Sequence, residues 1–156
     1  MRRDPVHWNV HRSQESSSRN RGRRIMGAEK NFEEKVKRYL RSIGVYPLGT
    51  APDKMIAPPI GYYEKRWGGG TFTKSGLPDL HIVILGYSVD VELKAQNGRP
   101  SELQIFVIKQ IRAAGGFAFV LYPSGYSDFV DFITDFRYEI FNRETTPIIM
   151  KGGKNG

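Results

Sequence analysis

Two short strands separated by a turn occupy residues 77–95, and this segment constrains the fold more than any other part of the chain. Residues 80–85 are apolar apart from His81, which is typical of a buried strand. The Gly86-Tyr87 pair indicates a turn, and residues 89–95 form the next strand. Apolar and polar side chains alternate in that strand, so one face carries Asp90, Glu92 and Lys94. A small sheet built around this segment is therefore expected.

Polar residues stand where the two strands would end together. Pro78-Asp79 opens the first strand, and we expect Asp79 to be exposed at that end of the sheet. Glu92 and Lys94 lie two residues apart, about 7 Å along one face of the second strand. Two carboxylates can hold a hard divalent cation, here Mg²⁺ with Mn²⁺ as a substitute. Lys94, with a pKa expected to be lowered by partial burial, can hold the attacking hydroxide or stabilise the transition state. This set predicts metal-assisted hydrolysis of a phosphodiester bond.

Ordinary structural explanations exist for each of these residues. Glu92 and Lys94 also fit a surface ion pair on a strand edge, although this explains poorly why three polar residues face one way in an apolar segment. A second Pro-Asp pair, Pro52-Asp53, precedes Glu64, but no apolar strand surrounds it and no lysine follows the glutamate at the same spacing. His81 shares a face with Asp79, where it either reaches the site or is a core histidine with a satisfied hydrogen bond.

The charge is unevenly distributed along the 156 residues, whose net charge is +8. Residues 1–26 contain seven arginines and two acidic residues, 7 − 2 = +5, which leaves +3 for the remainder. A basic arm suits nucleic acid because each neutralised phosphate releases counterions; the alternative is an extension without a role. No cysteine is present, which excludes a disulfide framework and a thiolate zinc site. No apolar run approaches the roughly 20 residues of a membrane-spanning helix, so we expect a cytoplasmic protein that does not interact with membranes.

The predicted organisation is a basic disordered arm at residues 1–27, a folded domain at 28–143 and a flexible tail at 144–156. Helical spacing begins at Ala28 and continues to Gly44, which is a suitable C-terminal stop. Residues 101–114 begin with a capping box, Ser101 followed by Gln104, and predict a second helix. A third buried strand follows at residues 117–122, parallel to strand 89–95, and a last helix at 126–141. The side chains expected to point inward from the helices are Phe32, Val36, Tyr39 or Leu40, Ile43, Leu103, Phe106 or Val107, Ile111, Phe129, Ile133, Phe136 and Ile140.

A short strand or turn is expected at residues 45–48. Residues 49–76, which follow it, are the least regular part of the sequence. They combine aromatic and cationic side chains, namely Tyr62, Tyr63, Lys65, Arg66 and Trp67. Such a combination can stack on bases and pair with phosphates, so Lys65 and Arg66 are candidate nucleic-acid contacts. The alternative is a β-hairpin whose aromatic side chains, Tyr62 and Tyr63 above all, pack on the sheet.

Four blocks of sequence, taken together, resemble the PD-(D/E)XK nuclease superfamily, and most of all its VRR-NUC branch. They are Ser75-Gly76-Leu77-Pro78-Asp79, Val91-Glu92-Leu93-Lys94, residues 98–104 (GRPSELQ) and residues 115–120 (GGFAFV). The resemblance covers roughly residues 28–124. VRR-NUC proteins occur in phages and mobile elements and are related to Holliday-junction resolvases. The resemblance implies an α/β fold with a restriction-endonuclease-like core, in which a mixed central β-sheet is flanked by helices.

The resemblance also implies an activity and further site residues. The expected enzyme is a Mg²⁺-dependent deoxyribonuclease, a hydrolase acting on ester bonds of DNA, with branched or junction DNA as a candidate substrate. A glutamate on the first helix would complete the metal site, either Glu33, the better fit, or Glu29 one turn earlier. Gln104 matches a helical glutamine near the site and is also explained as the capping partner of Ser101.

Further expectations concern partners and alternatives. Lys74, Arg99 and Lys109 are candidate phosphate contacts, with ordinary surface solvation as the alternative for each. A homodimer is expected if the substrate is symmetric branched DNA, and no small-molecule organic cofactor is implied. A phage-encoded enzyme would act in the host cytoplasm. The alternatives are a non-catalytic DNA-binding or assembly module with the same fold, and an RNA-directed nuclease, because a metal-hydrolysis site does not by itself read the 2′-hydroxyl.

Overall fold

The computed structural model describes residues 10–67 and 74–141, and the side chains within 21–24, 26–67 and 74–137. The elements follow in the order α1 (Val10–Ser42), β1 (Val45–Pro47), β2 (Gly61–Lys65), β3 (Leu80–Ile84), β4 (Tyr87–Leu93), α2 (Glu102–Ala113), β5 (Phe117–Leu121) and α3 (Tyr126–Phe141). Two single turns of 3₁₀ helix occur at Pro52–Lys54 and Pro123–Gly125. No helix in the described ranges has both the length and the apolar character needed to cross a bilayer.

The five strands form one mixed sheet in the order β1-β2-β3-β4-β5. The outer pairs β1–β2 and β4–β5 are parallel, whereas β2, β3 and β4 are antiparallel to one another. Helix α2 connects β4 to β5, as expected for a parallel pair joined by a crossover. The expected α/β architecture, a mixed sheet with flanking helices, is therefore confirmed.

Helices α1 and α3 pack on one face of the sheet and form the main core with it. Their inward side chains Phe32, Val36, Leu40, Phe129, Ile133 and Phe136 are buried, as predicted. Leu80, Ile82 and Ile84 project into this core from the central strand β3, and Val89, Val91 and Leu93 project into it from β4. The opposite face of β4 therefore carries Asp90 and Glu92, which are the buried acidic residues of the described chain.

Helix α1 begins 18 residues earlier than predicted, at Val10 rather than Ala28. The predicted start is wrong because residues 10–27 contain no proline, and extending a helix from a packed turn costs far less than nucleating one. The exposed residues 21–24 show that this extension has no packing partner there. The part of the proposed arm at residues 1–9 and the tail at 144–156 lie outside the described residues.

The predicted C-terminal stop of α1 at Gly44 is confirmed. Its φ angle is +92°, a left-handed conformation that L-residues rarely adopt. A Cβ atom at this position would also collide with the carbonyl oxygen of Pro58. The glycine therefore allows the chain to turn directly from α1 into β1 while a neighbouring loop passes against it.

The structure decides between the two alternatives for residues 49–76 and corrects one helix face. Strand β2 lies within the stretch predicted to be least regular, and its Tyr63 is buried in the core, as the hairpin alternative expected. In α2, Val107 and Ile108 are buried, but Leu103 and Phe106 are 47% and 56% exposed, so the inward assignment of Leu103 is wrong. Helix α2 packs against β5 and contacts β4 through the hydrogen bond from Gln104 to Glu92, and its buried residues are Val107 and Ile108.

Candidate active site

The register of β3 and β4 brings the predicted carboxylates together. Leu80 pairs with Val91, and one residue beyond this pair Asp79 lies alongside Glu92 and Leu93. The backbone N–H of Leu93 donates a hydrogen bond to Asp79 Oδ2 at 2.9 Å. Asp79 is only partly exposed, and it precedes the central strand of the sheet. The expectation of an exposed Asp79 at the edge of the sheet is therefore wrong, because Asp79 precedes the central strand and lies in a cleft with residues of α1 and the end of β2.

Glu92 is the most deeply buried charged residue of the site, with no exposed surface. Its Oε1 accepts hydrogen bonds from Lys94 Nζ and from Gln104 Nε2, both at 2.6 Å. Its Oε2 is buried without a hydrogen-bond partner among the described residues. A buried carboxylate oxygen normally has a partner, since an unsatisfied one costs about 1–3 kcal/mol or more. Oε2 therefore points to a place where a positively charged or donating group would be stabilised.

Gln104 performs both of the roles that the sequence leaves open. Its side-chain oxygen accepts from the backbone N–H of Ser101 at 2.8 Å, and the Ser101 hydroxyl accepts from the Gln104 backbone at 3.2 Å. This reciprocal pair is the capping box that begins α2. Because the amide oxygen is occupied by the cap, the amide nitrogen is oriented toward Glu92. One residue thus connects the start of the helix to the acidic centre.

Burial dominates the electrostatics of the two carboxyls. Loss of solvent raises the pKa of Asp79, although the Leu93 N–H and the Lys94 charge oppose the shift. Loss of solvent also raises the pKa of Glu92, and the neighbouring Asp79 charge adds to that rise. Two carboxylates that disfavour each other's ionisation form a site where a divalent cation would be strongly stabilising.

Lys94 departs from the sequence-based expectation. Burial by itself would lower the pKa of this ammonium, but its hydrogen bond and charge interaction with Glu92 outweigh burial, so the pKa is raised. The predicted lowering is wrong because the lysine is buried together with its acidic partner. Lys94 therefore stays protonated at neutral pH and is suited to stabilising negative charge.

The two glutamates proposed as a third metal ligand occupy different positions on α1. Glu33 pairs with both Lys37 and Lys65. Burial would raise the pKa of Glu33, but these two lysines lower it overall. Glu29 lies one turn earlier, and its Oε1 accepts from the Ala95 backbone N–H at 3.3 Å. Both line a cleft of ≈ 400 Å³ together with Asp79, so the structure brings both candidates to the site.

A second polar cluster occupies the same face of the sheet as Glu92. Asp90 Oδ1 lies 2.7 Å from Arg66 Nη1 and 3.0 Å from His81 Nδ1. The alternative of a satisfied histidine is thus confirmed for His81, and the half-buried Arg66 side chain is held by Asp90. The role of Asp90 was missed from sequence, although the alternation that identified Glu92 places Asp90 on the same face.

The remaining predicted nucleic-acid contacts are spread over the surface. Lys74, Arg99 and Lys109 are exposed. Arg99 lines a shallow cleft with Gln96 and Tyr122, separate from the acidic one. Lys65 in contrast lies in the acidic cleft beside Trp67. The structure therefore places Asp79, Glu33 and Lys65 in one cleft and pairs the buried Glu92 with Lys94 and Gln104. Lys74, Arg99 and Lys109 lie outside both groups.

The residues present partly fit a divalent cation. The unpartnered Glu92 Oε2 and the adjacent Asp79 carboxylate supply oxygen ligands of the kind that Mg²⁺ takes. Across residues 10–67 and 74–141, however, no three acidic or histidine side chains already converge as a ligand set. Glu33 is moreover paired with two lysines, so its role as a third ligand stays a prediction.

Comparison with known proteins adds no relative. No protein-family model, curated protein or solved structure matches the chain.

Proposed function

We propose that this protein is a metal-dependent DNA endonuclease with a restriction-endonuclease-like core of the PD-(D/E)XK type. The observation that carries the proposal is the environment of Glu92: a fully buried carboxylate, paired with Lys94 and Gln104, with one oxygen unpartnered beside Asp79. Burying such a group costs several kcal/mol unless a compensating charge is present. A purely structural role would be served at lower cost by an apolar side chain.

Asp79 and Glu92 would hold Mg²⁺ or Mn²⁺, with Glu33 or Glu29 from α1 as the further ligand. The cation would supply Lewis-acid stabilisation of charge on the phosphate and a nucleophilic water at neutral pH. The protein's own residues then have separate tasks. Lys94, held protonated by Glu92, donates to the phosphate oxygen on which charge develops. Gln104 fixes the Glu92 side chain and thereby the orientation of its free oxygen.

Labelled DNA cleavage tests the proposal directly. Linear duplex, single-stranded, flap and four-way-junction DNAs would be incubated with the protein in Mg²⁺, in Mn²⁺ or in EDTA. We expect cutting that requires the metal and that is lost in Glu92→Gln, a nearly isosteric change. Asp53→Asn is the matched control, because Asp53 is an exposed carboxylate in the 3₁₀ turn Pro52–Lys54 and lies outside the described clefts. Cutting that survives Glu92→Gln, or that is lost equally in Asp53→Asn, would contradict the assignment.

A non-catalytic DNA-binding module is the second candidate. The observation that favours it is the lack of a preformed three-ligand set in the described residues, with Glu33 neutralised by Lys37 and Lys65. This candidate predicts DNA binding with no cleavage and with no effect of Mg²⁺ on thermal stability. A matched RNA substrate in the same assay distinguishes a ribonuclease from a deoxyribonuclease.

The proposed enzyme would act on DNA in the cytoplasm, or in the host cytoplasm if it is phage-encoded. A homodimer would be needed only if the preferred substrate proves to be a two-fold symmetric junction.

A further inference from the structure

Trp67 is a large side chain that the fold leaves open to solvent, with 73% of its surface exposed. A tryptophan this exposed has forgone most of the stabilisation that burial of an indole provides. It follows β2 directly, beside the acidic cleft, which it lines together with Asp79 and Lys65. Its position relative to the candidate active site therefore calls for a physical explanation.

The chain that carries Trp67 is anchored to the active site. The backbone N–H of Arg66 donates to the carbonyl oxygen of Asp79 at 2.8 Å. The Arg66 side chain is held in turn by Asp90 at 2.7 Å. The residue before Trp67 is thus fixed both to the chain that enters β3 and to β4, and Trp67 lines the same cleft as Asp79.

One face of the indole already contacts a cation, and most of the side-chain surface is exposed. The Lys65 ammonium lies 4.6 Å from the ring centroid, which is within the range of a cation–π contact. Lys65 also pairs with Glu33, so it is held on that side of the ring. The high exposure of Trp67 means that the opposite face can receive another flat group.

Trp67 lines two neighbouring clefts that share Lys37 and Lys65. The cleft with Asp79 carries four carboxylates and three lysines, so its charged lining sums to 3 − 4 = −1. The other cleft, of ≈ 540 Å³, is lined by Lys37, Lys65 and Arg66 against the single carboxylate of Glu64, and its charged lining sums to 3 − 1 = +2. The indole therefore lies between the carboxylate of the candidate active site and a cleft whose net charge favours a phosphate backbone.

We propose that Trp67 is a stacking platform for an unpaired base of the DNA substrate, next to the phosphate that is cut. The flanking backbone would follow the basic cleft past Lys65 and Lys37. Bases of intact duplex are stacked on one another, so a protein indole can stack on a base only where the strand is unpaired or its bases are splayed. The substrate class is therefore DNA with single-stranded nucleotides at the cut, such as a single strand or a flap. This inference rests on the proposed nuclease function only in placing the scissile phosphate at Asp79.

Tryptophan fluorescence tests the platform without any cutting. The chain has two tryptophans, Trp8 and Trp67, so Trp8→Phe leaves Trp67 as the single emitter. In EDTA this protein would be titrated with a single-stranded DNA 20-mer, its duplex, a single-stranded RNA of the same sequence and inorganic phosphate. We expect saturable quenching by single-stranded DNA, with at least about 5-fold weaker binding of duplex. Fluorescence anisotropy of labelled DNA gives the affinity of variants that lack the indole.

Trp67→Ala should weaken single-stranded DNA binding by about 5- to 150-fold, the range that removal of one stacking aromatic produces. Trp67→Phe, which keeps a flat ring, should remain within a few-fold of wild type. Phe106→Ala is the matched control, since Phe106 is an aromatic side chain on α2 that is 56% exposed. Circular dichroism of each variant verifies that it folds.

Several results would overturn the inference. These are unchanged Trp67 emission when DNA binds, equal quenching by inorganic phosphate, tighter binding of the RNA, or an equal loss of affinity in Phe106→Ala. Failure of the nuclease assignment can be distinguished from failure of the platform. If only the nuclease assignment fails, DNA still quenches Trp67 fluorescence, but the protein does not cleave DNA with Mg²⁺ or Mn²⁺. Cleavage of DNA without any quenching would reject the platform and keep the nuclease.

Discussion

Replacing Lys94 with methionine should destabilise the metal-free protein through Glu92. The substitution removes the ammonium 2.6 Å from a carboxylate that has no exposed surface, while keeping most of the apolar volume of the side chain. Removing one partner of a buried ion pair typically costs about 3–5 kcal/mol because the other charge stays buried. Lys94 is 16% exposed and Gln104 still donates to Glu92, so we expect the lower end, about 3 kcal/mol. For a chain of this size that lowers Tm by about 6–12 °C.

The loss should depend on pH and on divalent cations. Glu92 already has a raised pKa, and without Lys94 it would rise further, so at low pH the carboxyl binds a proton and avoids the penalty. The destabilisation should therefore be largest near pH 8 and shrink toward pH 5. If the unpartnered Oε2 belongs to a cation site, Mg²⁺ should restore stability, by about 2.7 kcal/mol at a concentration 100 times its Kd.

Urea unfolding followed by circular dichroism measures these effects. The series is wild type, Lys94→Met, Glu92→Gln and the double variant, each at pH 5 and pH 8, with and without Mg²⁺. Removing both charges should recover part of the stability, giving a coupling free energy of about 1–3 kcal/mol. Lys54→Met, an exposed lysine remote from the site, is the control. Equal stability of Lys94→Met and Lys54→Met at pH 8, or additive losses in the double variant, would refute the reasoning.

Three further predictions concern single residues. Asp79→Asn should abolish cleavage and raise the Tm of the metal-free protein at pH 7. Because folding raises the pKa of Asp79, the favourable contribution of this carboxyl to stability is present below its ordinary pKa of 3.8 and is lost as pH rises. The increase in Tm measured by scanning calorimetry should therefore grow from pH 4 to pH 7, and a lower Tm at every pH would contradict this. Glu33→Gln should lower the free energy of unfolding by about 1 kcal/mol at pH 7. Because folding lowers the pKa of Glu33, its contribution to stability is present above its ordinary pKa of 4.5 and is lost as pH falls. The urea midpoints of variant and wild type should therefore differ at pH 7 and converge in acid, whereas equal midpoints at pH 7 would show that the lysine pairs contribute nothing. Gly44→Ala should lower the free energy of unfolding by more than the roughly 1–2 kcal/mol of left-handed backbone strain, because the new Cβ also collides with the Pro58 carbonyl. Gly49→Ala is the control for strain alone, since Gly49 has a φ of +85° and open space around it. Equal losses of stability in the two variants would show that the collision at Gly44 is relieved.

Local patterns in the sequence determine the core elements and the acidic pair. Alternation in β4 places Glu92 opposite the apolar face, and helical spacing predicts the buried face of α3, because these periods follow from backbone geometry alone. The Ser101–Gln104 capping box predicts the start of α2, since it involves only residues three apart. The sequence also predicts that Asp79 lies near Glu92, because the tight turn between the two strands allows few pairing registers.

Contacts between distant segments were decided only by the tertiary structure. Strand β2 forms because β1 and β3 supply partners on both sides of it, whereas the local pattern leaves a strand and an irregular binding loop as alternatives there. The pairing of Glu33 with Lys65 spans 32 residues, and it occupies a carboxylate that the sequence assigns to a metal. The direction of the Lys94 pKa shift depends on whether burial or the acidic partner Glu92 has the larger effect. The exposure of Trp67 depends on which residues pack around it in the folded chain. Sequence periodicity determines which face a side chain occupies, but burial and pairing depend on the neighbours that folding brings to that face.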